Sequence, residues 1–169
     1  MKKLNILDIE IALMQHLNIR QNIIVPNVFW GMGFMHECDL FVMSKNNYGH
    51  EIEIKTSRAD LKADLKKWHG HRNDKISRLS FAIPDYMEKD IALIPEKAGI
   101  LIIERVRYEH SEEFYIRVFE KRRAKINNRY KFTDKERCKL AELGCMRILG
   151  FKETIRNNFL YNRQMELNL

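Results

Sequence analysis

The sequence predicts an α/β domain followed by a helical extension, and three observations lead there. Residues 5–17 carry Ile6, Ile9, Leu13, Met14 and Leu17 at helical spacing. Residues 37–43 and 51–55 read as the two strands of a hairpin, separated by the polar cluster Ser44-Lys45-Asn46-Asn47-Tyr48-Gly49. Gly99-Ile100-Leu101-Ile102-Ile103 is an unbroken apolar run, as expected of a strand covered on both faces.

Taken in order, the first helix contains a carboxylate inside its apolar stripe. Glu10 lies four residues after Ile6 and three before Leu13. Burying an unpaired charge is costly, so Glu10 is either a site residue or sits at the stripe's margin and reaches water. Ile23 to Phe29 is strand-like, and Trp30-Gly31-Met32-Gly33 is a turn before the hairpin. After the hairpin, Ser57 is a plausible helix N-cap, and Asp60, three residues on, favours the helix dipole. That helix has an apolar seam of Leu61, Leu65 and Trp68, a basic stripe of Arg58, Lys62 and Lys66, and a stop at Gly70. Residues 78–83 form a further strand ended by Pro84, and a short amphipathic stretch from Met87 to Leu93 leads to the run at 99–103. Phe114 to Phe119 is assigned as an edge strand. From Lys121 to Arg137 the chain turns basic, with Tyr130 and Phe132 assigned to the core. Residues 133–149 have helical spacing, with Thr133 as N-cap and Leu140, Leu143 and Ile148 buried. Cys138 and Cys145, seven apart, are expected to share a buried face of that helix. This divides the chain into a domain over 1–120 and a basic, mostly helical extension over 121–169 packed on it.

The bulk properties narrow the function classes. A chain of 169 residues suits one domain with a small appendage. Thirty Lys+Arg against 23 Asp+Glu give a net charge of +7. A basic domain of this size points to a polyanionic partner, nucleic acid first, with general solubility as the alternative. The three cysteines, Cys38, Cys138 and Cys145, form no C-x-x-C pair, which argues against a disulfide framework or a zinc-cysteine site and fits a reducing, cytoplasmic setting. No apolar signal-peptide core follows Met1, and no run approaches the roughly 18 apolar residues of a membrane span.

The chemistry concentrates on the hairpin. Strand alternation puts Cys38, Leu40 and Val42 on one face of the first strand and Asp39 on the other. On the second strand Ile52 and Ile54 share a face, while Glu51, Glu53 and Lys55 take the opposite one. With Leu40 and Ile52 toward the core, Asp39, Glu53 and Lys55 emerge together. Two carboxylates and an amine at this spacing suit phosphodiester cleavage. Mg²⁺ prefers oxygen ligands, so Asp39 and Glu53 would hold it, and Lys55 would orient a water or steady developing negative charge. Glu10 and Glu51 are candidates to help bind a second ion. The alternative is a solvated polar hairpin face with cross-strand ion pairs.

Asp39 followed by Glu53-Ile54-Lys55, after a helix bearing Glu10, resembles the PD-(D/E)XK nuclease superfamily. The longer string Glu37-Cys38-Asp39-Leu40 … Glu51-Ile52-Glu53-Ile54-Lys55-Thr56-Ser57-Arg58-Ala59-Asp60-Leu61 is similar to the nuclease-like DNA-repair proteins of the MmcB family. The resemblance covers roughly residues 5–105. It implies a restriction-endonuclease-like α-β-β-β-α-β core with a mixed central sheet flanked by helices, a divalent metal (Mg²⁺ or Mn²⁺, one or two ions), and DNA as substrate. No proline precedes Asp39, a departure that many superfamily members share.

The expected activity is therefore metal-dependent hydrolysis of DNA, in repair or in phage or mobile-element DNA processing. The alternative is a catalytically inactive DNA-binding module with the same fold. Arg58, Lys62, Lys66 and His69 are the candidate DNA contacts, and the basic run from Lys121 to Arg137 is a second candidate surface. For His69, with His71 and Asp74, zinc binding is the competing reading. The expectation includes no membrane partner and leaves room for a homodimer.

Overall fold

A computed structural model of the protein describes residues 4–64, 66–67, 73–109 and 111–167. Helix α1 (Ile6–His16) opens the fold, with the Asn5 side chain accepting from the Leu7 N–H as its cap. Strands β1 (Ile23–Val28), β2 (Cys38–Met43) and β3 (Gly49–Ile54) follow, then helix α2 (Arg58–Asp64) and strand β4 (Ile76–Pro84). A 3-10 helix (Asp85–Leu93) leads to β5 (Gly99–Arg107) and β6 (Phe114–Arg122), and helix α3 (Asp134–Leu167) ends the order. The six strands form one mixed sheet in chain order. β1, β2 and β3 are antiparallel neighbours, β4 runs parallel to both β3 and β5, and β6 returns antiparallel to β5. The α/β class, the mixed sheet between helices and the α-β-β-β-α-β order of the first six elements are those expected.

Alternation along the strands divides the core into two layers. On one face α1 contributes Ile9 and Leu13 against Leu40, Val42, Ile52, Ile54 and Ala82. On the other, Leu61 of α2 packs with Phe81, Ile83 and Ile100, while Phe132, Leu140 and Leu143 pack with Val25, Phe41 and Met43. β5 joins both layers, Leu101 and Ile103 to the first and Ile100 and Ile102 to the second. This is the double burial that its unbroken apolar run requires. Pro26 lies in β1, an edge strand, where a missing N–H can be tolerated.

One strand departs from simple alternation. Cys38 packs with Phe41 and Met43, not with Leu40 and Val42 as its parity predicts. The cause lies across the pair. β1 and β2 pair at Pro26↔Leu40 and at Val28↔Cys38, and Asn27 between them has φ +52°. A left-handed residue there breaks the pleat, and Cys38 turns to the face it shares with Phe41.

The segment after β6 is tied to the hairpin. The Phe132 N–H donates to the Asn47 carbonyl at 2.9 Å, and Arg137 Nη1 donates to the Ser44 carbonyl and to Asn47 Oδ1 at 3.1 and 2.9 Å. Arg122 spends its guanidinium on the carbonyls of Ala98, Pro95 and Ile94. Part of the basic run is thus structural. Thr133 and Glu136 form a reciprocal capping box at the start of α3: the Glu136 N–H donates to Thr133 Oγ1 and the Thr133 N–H to the Glu136 carboxylate. Leu140 and Leu143 are buried as expected, but Ile148 is 56% exposed. A helix of 34 residues spans about 50 Å, longer than the sheet it rests on, so its distal turns leave the core behind. Cys138 and Cys145 are also exposed. Each lies two residues from a buried leucine, which is about 200° around the helix. Among the described residues, no helix is long and apolar enough to cross a membrane.

Phe132 is 2% exposed and meets the edge of Phe41 at a centroid distance of 5.6 Å. Replacing Phe132 by Ala should lower unfolding free energy by roughly 3–5 kcal/mol. Urea unfolding followed by circular dichroism measures it, and a loss below about 1 kcal/mol would show that this segment is not part of the core.

Candidate functional site

The sequence-predicted residues Asp39, Glu53 and Lys55 meet where β2 begins and β3 ends. Asp39 reaches across the strand pair: its Oδ2 accepts the Ile54 N–H at 2.8 Å. The Lys55 N–H donates to the Ala82 carbonyl at 3.0 Å, extending the β3–β4 ladder by one residue and fixing where the side chain starts. Lys55 Nζ then lies 2.7 Å from Glu53 Oε2 and 3.6 Å from Asp39 Oδ2. A third carboxylate, Asp64 of α2, stands 3.2 Å from the same ammonium and is also bridged to Lys67. Glu53, Lys55 and Asp64 are almost wholly buried, at 1%, 3% and 1% exposure. Asp39 keeps 37% of its side chain exposed, so the cluster meets solvent on its side.

The charges of this cluster act strongly on one another. Burial, the Asp39 carboxylate and Glu51 together push the Glu53 carboxyl up to about 7, against the opposing pull of Lys55. Burial alone would lower the Lys55 amine, but Glu53, Asp39 and Asp64 hold it well above the ordinary lysine range. Glu10, half-buried on α1, is raised by desolvation and by Asp39. Carboxylates that raise one another are the donor set a divalent ion relieves, and their oxygens are the hard donors Mg²⁺ or Mn²⁺ takes. Asp39 and Glu53 offer such oxygens where they converge on Lys55, whereas Glu10 does not close a three-donor group with them.

Glu51 is placed differently. It shares the Glu53 face, is fully buried, and bonds His36 in the loop before β2. Cys38 sits near this pair, its thiol pushed far up by burial and by Glu51, Glu53 and Asp39. Among the candidate DNA contacts, Arg58 Nε is 2.9 Å from the buried Asp90, while Lys62, on the helix that carries Asp64, and Lys66 are exposed. Arg58 also lines a groove of about 450 Å³ with Thr56, Ser57, Tyr86 and Lys89. His69 and His71 fall outside the described residues, so neither the phosphate contact nor the zinc reading bears on the geometry here.

Asp64 and His36 were not singled out from the sequence. Asp64 had a signal: it lies three residues after the buried Leu61, on the apolar seam of its helix, the same conflict that marked Glu10. His36 had none, because its approach to Glu51 is a contact between a loop and a strand fifteen residues away. A separate cavity of about 490 Å³ is lined by Tyr48, His50, Arg78 and Arg129. It lies at the opposite end of β2 and β3 from Asp39 and Glu53, and none of the site carboxylates lines it, so it is not the place where they act.

No family model and no curated protein matches the chain. Among solved structures it is similar to SPO1766, described as a protein of unknown function from Silicibacter pomeroyi. The two align at a TM-score of 0.60 and 19% identity, over 90% of this chain and 91% of the other. That likeness establishes a shared fold.

The raised Glu53 carboxyl sets a pH dependence for the metal-free protein. Between its ordinary value of 4.5 and about 7, Glu53 is protonated in the native state and ionised in the unfolded chain. The native state then binds the extra proton, so stability falls as pH rises through that window. Relative to Glu53→Gln, the chelator-treated wild type should lose on the order of 2–3 kcal/mol between pH 4.5 and 7 and little more above it. Denaturant midpoints across pH measure this, and parallel curves for the two proteins would show that Glu53 does not titrate there.

Proposed function

We propose that the protein is a metal-dependent deoxyribonuclease of the PD-(D/E)XK type. Asp39 and Glu53 are the metal ligands, with Glu10 as a further donor, and Lys55 positions the attacking water. The observation that carries this reading is the convergence of two carboxylates from adjacent strands on one buried ammonium, with Asp39 open to solvent. The motif spacing that resembles the superfamily supports it independently, as does the net charge of +7.

When bound, Mg²⁺ or Mn²⁺ would neutralise charge on the scissile phosphate and make a coordinated water more acidic. The protein's own residues supply the rest. Glu53 anchors the Lys55 ammonium by accepting a hydrogen bond at 2.7 Å, while Asp64 and Asp39 hold that ammonium electrostatically. An ammonium has three protons, so Lys55 retains the capacity to bind a water or a non-bridging phosphate oxygen arriving on the Asp39 side. Water attacks phosphorus and releases a proton to solvent, one P–O ester bond breaks, and the leaving oxygen takes up a proton from solvent, so the step is proton-neutral. Lys62 and Lys66, both exposed, would contact phosphates, which orients the backbone without reading sequence. Arg58, held by Asp90, presents the groove wall. The setting that fits is DNA repair or the processing of phage or mobile-element DNA.

Cleavage of plasmid and branched DNA with Mg²⁺ or Mn²⁺ tests the proposal. Glu53→Gln and Lys55→Met should each lower the rate by about a hundredfold or more, and chelation should abolish it. Cleavage that survives both substitutions would falsify the assignment. DNA binding that weakens with salt, with no cleavage of any substrate, would favour the inactive DNA-binding module instead.

A further inference from the structure

We propose that His36, Cys38 and Glu51 form a second metal site, selective for a transition ion of the zinc class and distinct from the carboxylate site at Asp39 and Glu53. One ligand atom from each of the three residues lies within 4.8 Å of the others, and all three residues are buried. A tetrahedral zinc ion with bonds of about 2.0–2.3 Å holds neighbouring donors roughly 3.3–3.8 Å apart, so the triad closes on one with a small rearrangement in which the direct His36–Glu51 contact opens to admit the ion.

Three features argue for a purpose beyond packing. The first is backbone placement. Cys38 reaches this face because the β1–β2 pair is broken at Asn27, whose φ is +52°. Regular alternation would have sent the thiol to the α1 layer with Leu40. The second is burial: Glu51 and Cys38 are 0% exposed and His36 is 8% exposed. Donors held away from bulk water meet little competition from solvent for a bound ion, and the His36 imidazole already contacts the Glu51 carboxylate. The third is donor chemistry. Imidazole, thiolate and carboxylate together match Zn²⁺, Fe²⁺ or Co²⁺, whereas the oxygen donors Asp39, Glu53 and Glu10 match Mg²⁺ or Mn²⁺. The two neighbouring sites are therefore sorted by ligand softness. Three protein donors leave one tetrahedral position for water.

The inference does not rest on nuclease activity, because only Glu51 was a candidate in both settings. Its rival is a metal-free His36–Glu51 ion pair with a thiol beside it. Cobalt binding decides between them. The full-length protein is stripped of metal by chelation and titrated with Co²⁺ in excess Mg²⁺, which occupies the oxygen-donor site. The expected result is one Co²⁺ per chain with a near-ultraviolet thiolate-to-cobalt charge-transfer band, displaced by Zn²⁺. That band should vanish in Cys38→Ser and persist in the Cys138→Ser, Cys145→Ser double variant and in Asp39→Asn. Glu51→Gln should weaken cobalt binding by at least about tenfold. Absence of the band in folded wild-type protein, or its survival in Cys38→Ser, would overturn the proposal. Loss of DNA cleavage in Asp39→Asn with the cobalt band intact would keep this site while bearing only on the hydrolytic one.

Discussion

The ammonium of Lys55 is the point on which the site depends. It lies inside the protein among Glu53, Asp64 and Asp39, which come from β3, α2 and β2. Each charge pays a desolvation cost that only close, opposite charge offsets, and the effective dielectric of the interior makes that attraction strong. The geometry therefore cannot drift far. One side chain pins the end of β3 to the end of α2 and to the beginning of β2, where the hairpin faces solvent. Removing it would take the ammonium from Glu53 and weaken the compensation of Asp64, which also bridges Lys67.

The rest of the fold is arranged so that this cluster can exist. The α1 layer is apolar between Ile9, Leu13, Leu40 and Ile52, and it supplies hydrophobic burial without polar compromise. The opposite layer carries Glu51, Glu53 and their partners between two apolar clusters, one gathered around Phe81 and the other around Phe41 and Phe132. At the far end of the hairpin, Arg137 and the Phe132 N–H hold the turn at Ser44 and Asn47. Gly49 is required there because a Cβ would stand 2.8 Å from the Phe41 ring and 2.9 Å from Phe132. The C-terminal segment thus steadies the same hairpin whose other end carries the carboxylates, so rigidity at one end serves chemistry at the other.

The donors around the hairpin differ in chemistry and in exposure. The Asp39 carboxylate meets solvent and Glu10 is half-buried on α1, while the sulfur and nitrogen of Cys38 and His36 are buried. A fold of this class hosts many chemistries, and what distinguishes one from another is the site grafted on it. The distribution of donors, not the sheet, is what carries the functional argument for this chain.

Much of this architecture was legible in the residues themselves. Helical spacing in α1, the polar break in the hairpin, the doubly buried run of β5 and the Thr133 cap are local signals, set by backbone periodicity and capping chemistry within a few residues. The grouping of Glu53 with Lys55 was equally local, since residues two apart on a strand share a face. Contacts between distant segments were not legible. The turn of Cys38 to the Phe41 face depends on Asn27 across the strand pair, and the approach of His36 to Glu51 depends on where a loop settles. The exposure of Ile148, Cys138 and Cys145 depends on how far α3 outruns the sheet and which of its faces meets β1. Local sequence determines period and propensity because these arise within one turn or one pleat. Only the tertiary structure decides which charges share the interior, because burial and Coulomb energy depend on neighbours that the chain order does not set.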